Sequence, residues 1–158
     1  MKRTAKIIGR FLKFGTLLST AGFIGATLIQ IYARFFLETA PSWTEEAARF
    51  FFVYAVSFAA GLAMKHHYYV QFDLVYRRMG PKQQRLVNLL VALFSLLLFL
   101  VLTFYAISFV IVGIPERSPS LGVPMAIAFT SMVIMGLAVS VFALFDILKL
   151  LSNQNKRE

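Results

Sequence analysis

The sequence predicts an all-α integral membrane protein with four transmembrane helices. Of its 158 residues, 59% are apolar and only 15% are charged, which leaves too little polar surface to cover a soluble domain of this size. The charged residues are grouped along the chain, and the groups separate four long uncharged runs. Because no internal repeat or linker divides the sequence, we expect a single membrane domain over residues 1–158.

The uncharged runs give the spans in chain order. A helix needs about 20 apolar residues to cross ~30 Å of hydrocarbon. The first, third and fourth runs reach this length without help from their flanks. We predict spans at approximately 12–36, 43–64, 82–112 and 124–150.

The second run, from Phe50 to Met64, is too short to cross the membrane alone, since its 15 residues rise only about 22 Å. Ser42-Trp43-Thr44-Glu45 precedes it and has the Ser-x-x-Glu pattern of a capping box. The second span is therefore expected to begin at Trp43, about two turns earlier.

Proline and glycine mark the limits of the third and fourth spans. Pro81 suits the first position of the third helix, which is expected to stop near Val112. Pro124 is placed to open the fourth helix. The loop between the two spans should be short and stiff because it contains Gly113, Pro115, Pro119 and Gly122.

A polar segment with scattered apolar residues joins the second span to the third. Between Tyr69 and Met79, five apolar residues alternate irregularly with Asp73, Arg77 and Arg78. Such a segment is too polar to cross the bilayer. We predict that it is an amphipathic segment in the cytoplasmic interface, with its arginines directed toward lipid phosphates.

The distribution of lysine and arginine predicts the orientation. From the N-terminal flank to the C-terminal tail, the five non-membrane segments contain five, two, five, one and three of these residues. By the positive-inside rule, both termini and the second loop are cytoplasmic, an N-in/C-in topology. A cleaved signal peptide is the alternative for the first span, but its 20 uncharged residues exceed the usual apolar core of such a peptide.

Composition excludes several classes of function. The chain has no cysteine, which rules out disulfides, thiolate metal sites and thiol nucleophiles. The formal charge of +9 does not indicate a nucleic-acid partner, because the basic residues flank apolar spans instead of covering a soluble face. We read them as topology signals that contact membrane lipids.

No ionisable residue falls in the middle of a predicted span, where transporters and proton relays usually keep one. Gln30, near the outer end of the first span, is the main strongly polar exception and is expected to form an interhelical hydrogen bond at a partner interface, with a substrate contact as the alternative. His66 and His67 are adjacent, so on a helix they point about 100° apart and cannot share a metal. We predict no enzyme activity, metal site or cofactor in this chain.

Small residues recur at a spacing of four in the second span, which lets helix backbones approach closely in lipid. The spacing does not say whether this face packs inside the bundle or against another protein. Its members are Ala55, Ser57, Ala59, Gly61 and Ala63.

A charged segment opens the second span at the non-cytoplasmic end. Glu45 and Glu46 can both pair with Arg49 on the helix, at i+4 and i+3. Beside Trp43 they can also form an acidic docking face for a partner, with Arg34 of the first span as a second counter-charge. Residue types alone leave helix capping and partner docking both open.

Two motifs, Trp43 to Phe50 at the start of the second span and Gln30 to Arg34 at the end of the first, belong to a resemblance that covers nearly the whole chain; the chain resembles the DctQ-type small membrane subunit of tripartite ATP-independent periplasmic (TRAP) transporters. Trp-Thr-Glu-Glu-Ala-Ala-Arg-Phe at Trp43 to Phe50 is similar to that family's W-[ST]-E-E-x-x-R-[FY] pattern, and Gln30 to Arg34 is similar to its Q-I-x-x-R. The stretch from Gly61 to Asp73 is similar to the family's exit from the second span. Tyr69 departs from the pattern there, because it occupies the usual histidine position.

The resemblance implies a bacterial inner-membrane complex for uptake of organic acids such as C4-dicarboxylates or sialic acid. A periplasmic substrate-binding protein would deliver the acid to a large multi-span subunit, which would hold both the substrate and sodium. This chain would be the accessory scaffold of that subunit. A self-sufficient oligomeric transporter or channel and a membrane electron-transfer subunit are the alternatives, although neither the required polar pore nor paired histidines are evident.

Overall fold

The computed structural model describes residues 2–37, 41–66 and 79–152. It contains four helices that are each long and apolar enough to cross a membrane, which confirms the predicted all-α membrane fold. Within these ranges the sole β-type pairing is an isolated bridge between Arg117 and Pro124. The helices are α1 (Lys2–Phe36), α2 (Trp43–His66), α3 (Pro81–Val112) and α4 (Ala126–Ser152).

The starts of α1 and α4 differ from the predicted spans by two residues or more, and the other helix ends lie within two residues of the prediction. Helix α1 begins at Lys2, ten residues before the predicted span, because lysine and arginine are good helix formers and the helix continues beyond the hydrocarbon. Helix α4 begins two residues later than predicted, because Pro124 and Met125 are used by the preceding loop. Most of the predicted interfacial segment lies outside the described residues, including Asp73.

Helices α1 and α2 pack antiparallel through aromatic rings and glycines. The rings of Phe11 and Phe58 meet edge to face at 5.9 Å, and those of Phe23 and Phe52 lie 5.5 Å apart. A Cβ at Gly15 would come within 2.8 Å of the Phe58 ring, so the missing side chain admits that ring against the α1 backbone.

Helices α2 and α4 run parallel and form the centre of the molecule. The Tyr54 hydroxyl donates to the Ile127 carbonyl at 2.6 Å, and Gly61 meets Ala138 two turns further along. A buried apolar cluster surrounds the second contact and also receives Leu12 from α1. The cluster comprises Leu12, Phe58, Met64, Ala138, Val139, Phe142 and Ala143.

Helices α3 and α4 pack antiparallel along most of their length. Gly136 of α4 lies directly against the Thr103 side chain, which leaves no room for a Cβ. The rings of Phe109 and Phe129 meet at 6.0 Å near one end of this pair. At the other end, Arg85 donates a hydrogen bond to the carbonyl of Leu150.

The extensive helix contacts join α1 to α2, α2 to α4, and α4 to α3, so the helices lie in the order α1, α2, α4, α3. Alternating directions bring the described parts of the N- and C-terminal regions to one end, which we call the terminal end. The opposite end, which we call the loop end, contains Phe36, Trp43 and the connection from Gly113 to Met125. The outer helices α1 and α3 expose most of their apolar surface.

Candidate functional site

The connection between α3 and α4 folds into a small hairpin at the loop end. The Ser118 N–H donates to the Val123 carbonyl at 2.8 Å, and the Met125 N–H donates to the Glu116 carbonyl at 2.9 Å. Gly122 takes φ +66°, a left-handed conformation in which glycine is favoured. The loop is therefore ordered by its own hydrogen bonds, in agreement with the stiffness predicted from its prolines and glycines.

Glu46 attaches this hairpin to the start of α2. One carboxylate oxygen, Oε2, accepts the backbone N–H of Ser120 at 2.9 Å and that of Leu121 at 2.8 Å. Consecutive backbone N–H groups directed at one point form an anion-binding nest. The buried hydroxyl of Ser118 also lies near this carboxylate without reaching hydrogen-bond geometry.

The two neighbouring acids thus have different partners. Glu45 pairs with Arg49 at 3.4 Å, as the i+4 spacing predicts, and both side chains are about two-thirds exposed. The alternative pairing of Glu46 with Arg49 is not what the structure shows, because the hairpin takes the Glu46 carboxylate. An exposed ion pair such as Glu45–Arg49 stabilises a fold little, so its charges remain available at the surface.

Helix α2 begins at Trp43, the predicted residue, and its first turn is anchored by the next residue. Thr44 is fully buried, and its hydroxyl donates to the Pro41 carbonyl at 2.7 Å. Trp43 itself remains 44% exposed at the first position of the helix. The start of α2 therefore presents an aromatic side chain and two charges from a rigid base.

Gln30 and Arg34 lie on the last two turns of α1, where Gln30 is half-buried and Arg34 is exposed. Within the described ranges Arg34 forms no ion pair with Glu45 or Glu46. The expectation that Arg34 is a second counter-charge for these acids is therefore not met in this chain on its own. The residue between them that packs inward is Ala33, which is 1% exposed. Sequence spacing gave no sign of this inward face.

Only part of the small-residue face of α2 is buried in the structure. Ser57 and Gly61 are buried, and a Cβ at Gly61 would lie 2.7 Å from the Cβ of Ala138. That half of the pattern therefore packs internally. The remaining members, Ala55, Ala59 and Ala63, are only partly buried and lie outside the buried cluster.

At the terminal end, His66 is the last residue of α2 and is exposed. The predicted interface residues Asp73, Arg77 and Arg78 lie outside the described part of the chain, as do His67 and Tyr69. Among residues 2–37, 41–66 and 79–152, no group of three or more histidines and carboxylates is arranged to hold a metal ion.

The pairing of Glu46 with Arg49 is a possibility from the sequence that the structure does not realise, and the residues that sequence reasoning missed are Ser120 and Leu121. Their contribution comes from backbone N–H groups, which every residue except proline has. No residue-type signal could have found them. The Pro119 to Gly122 turn was the available hint, since tight turns often direct successive N–H groups to one side.

Comparison with known proteins identifies this architecture. Residues 23–153 match the family of tripartite ATP-independent periplasmic transporters, DctQ component. The chain is also similar to a Haemophilus influenzae protein named as a candidate TRAP transporter small permease protein, with 22% identity over 148 residues, 93% of this chain and 89% of that protein. The family and the four apolar helices both fit a multi-pass protein of the bacterial inner membrane. The chain belongs to the DctQ family, the small permease component of TRAP transporters.

Proposed function

We propose that this chain is the accessory scaffold of a sodium-coupled transporter for organic acids, and that its loop end helps to dock a periplasmic substrate-binding protein. The substrate, a C4-dicarboxylate, sialic acid or a similar carboxylate, and the sodium ions would be held by a large multi-span partner subunit. Membership of the DctQ family supports a tripartite assembly. Docking, sodium coupling and substrate class are our inference.

The observation that carries the docking proposal is the attachment of the hairpin by Glu46. Its two hydrogen bonds to Ser120 and Leu121 join elements more than 70 residues apart into one preformed surface. A preformed surface loses less conformational entropy when a partner binds. Trp43, Glu45 and Arg49 are exposed in the first two turns of α2, which also contain Glu46, and exposed aromatic and arginine side chains are the residue types that most often anchor protein interfaces.

The charge pattern supports a periplasmic position for the loop end. Lysine and arginine are concentrated at the terminal end and sparse in the segments that include Trp43 and the hairpin. The positive-inside rule then directs the loop end to the periplasm, where a soluble binding protein can reach it.

The scaffold role is supported by the absence of charged residues from the central turns of the four helices. The central turns of α1, α2, α3 and α4 contain no charged residue, and the outward faces of α1 and α3 are apolar. Such surfaces suit contact with lipid and with another membrane protein. A self-sufficient channel would instead need a polar lining.

The assembly test is reconstitution of this chain into proteoliposomes with and without the large subunit. We expect uptake of a radiolabelled organic acid only when the large subunit, a loaded binding protein and a sodium gradient are all present. C4-dicarboxylates and sialic acid would be compared in the same vesicles. Transport by this chain alone would refute the scaffold role and favour an oligomeric channel.

Docking is tested by combining Trp43→Ala with Glu45→Ala and Arg49→Ala in the complete system. We expect the concentration of loaded binding protein at half-maximal uptake to rise severalfold with little change in maximal rate, because the altered side chains are exposed and leave the Glu46 attachment intact. A matched control removes exposed charges at the other end, with Lys82→Ala and Lys149→Ala. Equal effects of both variants would contradict a docking role.

A further inference from the structure

A basic cavity lies between α1 and α2 at the terminal end. It has a volume of about 400 Å³ and is formed by one face of α1, at a spacing of three and four residues, and by the last turns of α2. The Lys65 side chain enters this space by lying across Gly9, where a Cβ would meet its ammonium group. The lining residues are Lys6, Gly9, Arg10, Lys13, Leu62, Lys65 and His66.

The lysine and arginine side chains of this cavity have no ion-pair partner among the described residues. Lys6, Arg10, Lys13 and Lys65 form no ion pair within residues 2–37, 41–66 and 79–152. Three of the four described acids, Glu45, Glu46 and Glu116, lie at the opposite end of the molecule, and Asp146 is on α4. Four cations that share one small space repel each other unless an anion neutralises them.

The surroundings of the cavity indicate the kind of anion. Leu62 lies in its wall, and Ile7 and Phe14, on the same turns of α1, are about three-fifths to two-thirds exposed. One turn deeper, Leu12 enters the buried cluster. A ligand that carries phosphate at one end and hydrocarbon at the other would satisfy both the cations and this apolar rim.

We infer that the cavity between α1 and α2 binds the headgroup of an anionic phospholipid, with its phosphate among Lys6, Arg10, Lys13 and Lys65 and its acyl chains along the exposed apolar side of α1. Four cations suit a headgroup with two phosphates better than one with a single phosphate. The site uses neither the loop end nor the Glu46 attachment, so it is independent of the proposed docking function.

The test measures lipid retention by the complete chain, purified with whatever subunit accompanies it. After delipidation, native mass spectrometry would record binding of cardiolipin, phosphatidylglycerol or phosphatidylethanolamine, each added separately. We expect retention of cardiolipin above phosphatidylglycerol and little retention of phosphatidylethanolamine. Arg10→Gln with Lys65→Gln should lower the cardiolipin-bound fraction at least tenfold.

Two controls distinguish specific lipid binding in the cavity from general attraction of anionic lipid to a basic surface. Lys82→Gln with Lys149→Gln removes the same charge from the same end without altering the cavity, and should leave cardiolipin binding within twofold of the unmodified chain. Gly9→Leu fills the space at Gly9 and displaces the Lys65 side chain while the number of charges stays the same, and it should also abolish retention. A normal thermal unfolding profile for each variant would show that the helices still pack.

Three results would overturn the inference. Equal loss of lipid in the cavity and control pairs would show non-specific attraction. Unchanged retention after Gly9→Leu would place the lipid elsewhere. Complete displacement of cardiolipin by millimolar inorganic phosphate would assign the cavity to a free anion instead of a lipid.

Discussion

At the scale of single residues, geometry distinguishes side chains that the sequence makes look equivalent. Glu45 and Glu46 are adjacent acids in the first turns of α2, where negative charge also complements the helix dipole. The 100° step between neighbouring helical residues directs Glu46 to the hairpin and Glu45 along the surface to Arg49. Glu46 therefore attaches the hairpin to α2, and Glu45 remains at the protein surface, paired with Arg49.

We predict that Glu46→Ala loosens the hairpin. Without the carboxylate, the N–H groups of Ser120 and Leu121 lose their acceptor, and their hydrogen exchange should accelerate by roughly tenfold or more, as expected for loss of a charge-assisted bond. Exchange measured by mass spectrometry in detergent checks this. Glu45→Ala is the matched control and should leave exchange over 118–123 unchanged; equal acceleration by both variants would contradict the assignment.

A second residue-scale prediction concerns close helix approach at Gly61. An added Cβ would lie 2.7 Å from the Ala138 Cβ, which cannot rotate away, so Gly61→Ala should destabilise the fold by about 1–3 kcal/mol. Gly25→Ala is the control because a Cβ there meets nothing within 4 Å, and it should be neutral or stabilise by up to ~1 kcal/mol. Thermal unfolding in detergent compares them. A tolerated Gly61→Ala would mean that α2 and α4 lie further apart.

At the scale of elements, the hairpin shows how a loop becomes a rigid part of a membrane protein. Its own backbone hydrogen bonds close the turn, and the Glu46 carboxylate attaches the turn to α2. Gly113 caps α3 by donating its N–H to the Phe109 carbonyl, so the chain leaves that helix in a defined direction. Each of these contacts satisfies backbone groups that would otherwise need water.

We predict that the turn depends on glycine at position 122. Because its φ is +66°, Gly122→Ala should destabilise the loop by about 1–2 kcal/mol, whereas Gly122→Asn should lose less, since asparagine tolerates the left-handed region. Gly25→Ala is the control, because Gly25 does not have a positive φ and an added Cβ there meets nothing within 4 Å. Unfolding temperature and exchange over 118–123 would be measured. Equal behaviour of the alanine variants at 122 and 25 would contradict a requirement for glycine at position 122.

At the scale of the whole molecule, four helices form a row in which only α2 and α4 have extensive contacts on two sides. In lipid, exposing the outer faces of α1 and α3 carries no hydrophobic penalty, so such an open arrangement is stable where a soluble bundle would not be. The row leaves broad apolar faces available to lipid and to a larger partner. It also places the two ends, one basic and one carrying the hairpin, far apart.

The orientation gives a prediction for the intact cell. The chain has no cysteine, so single cysteines at the exposed positions Ser120 and Ser152 can be labelled without background. A membrane-impermeant maleimide that crosses only the outer membrane should label Ser120→Cys and leave Ser152→Cys unlabelled until the inner membrane is opened. The reverse pattern would overturn both the N-in/C-in topology and the periplasmic docking surface.

The pattern of charged and apolar residues is enough to predict that this protein lies in a membrane and where its four helices run. Charged residues are too costly inside hydrocarbon to be placed freely, so their positions delimit four apolar spans, and prolines and glycines mark where α3 ends and α4 begins. The start of α2 at Trp43 and the pairing of Glu45 with Arg49 also followed, because both depend on residues within one turn.

The contacts between helices and with the hairpin, by contrast, are visible only in the folded protein. Whether Gly61 packs internally depends on Ala138, and the partner of Glu46 is a pair of backbone N–H groups that no residue type reveals. The basic cavity likewise exists because Gly9 of α1 faces Lys65 of α2. Contacts between residues far apart in the chain depend on how the helices are ordered and rotated, and local spacing contains no information about either.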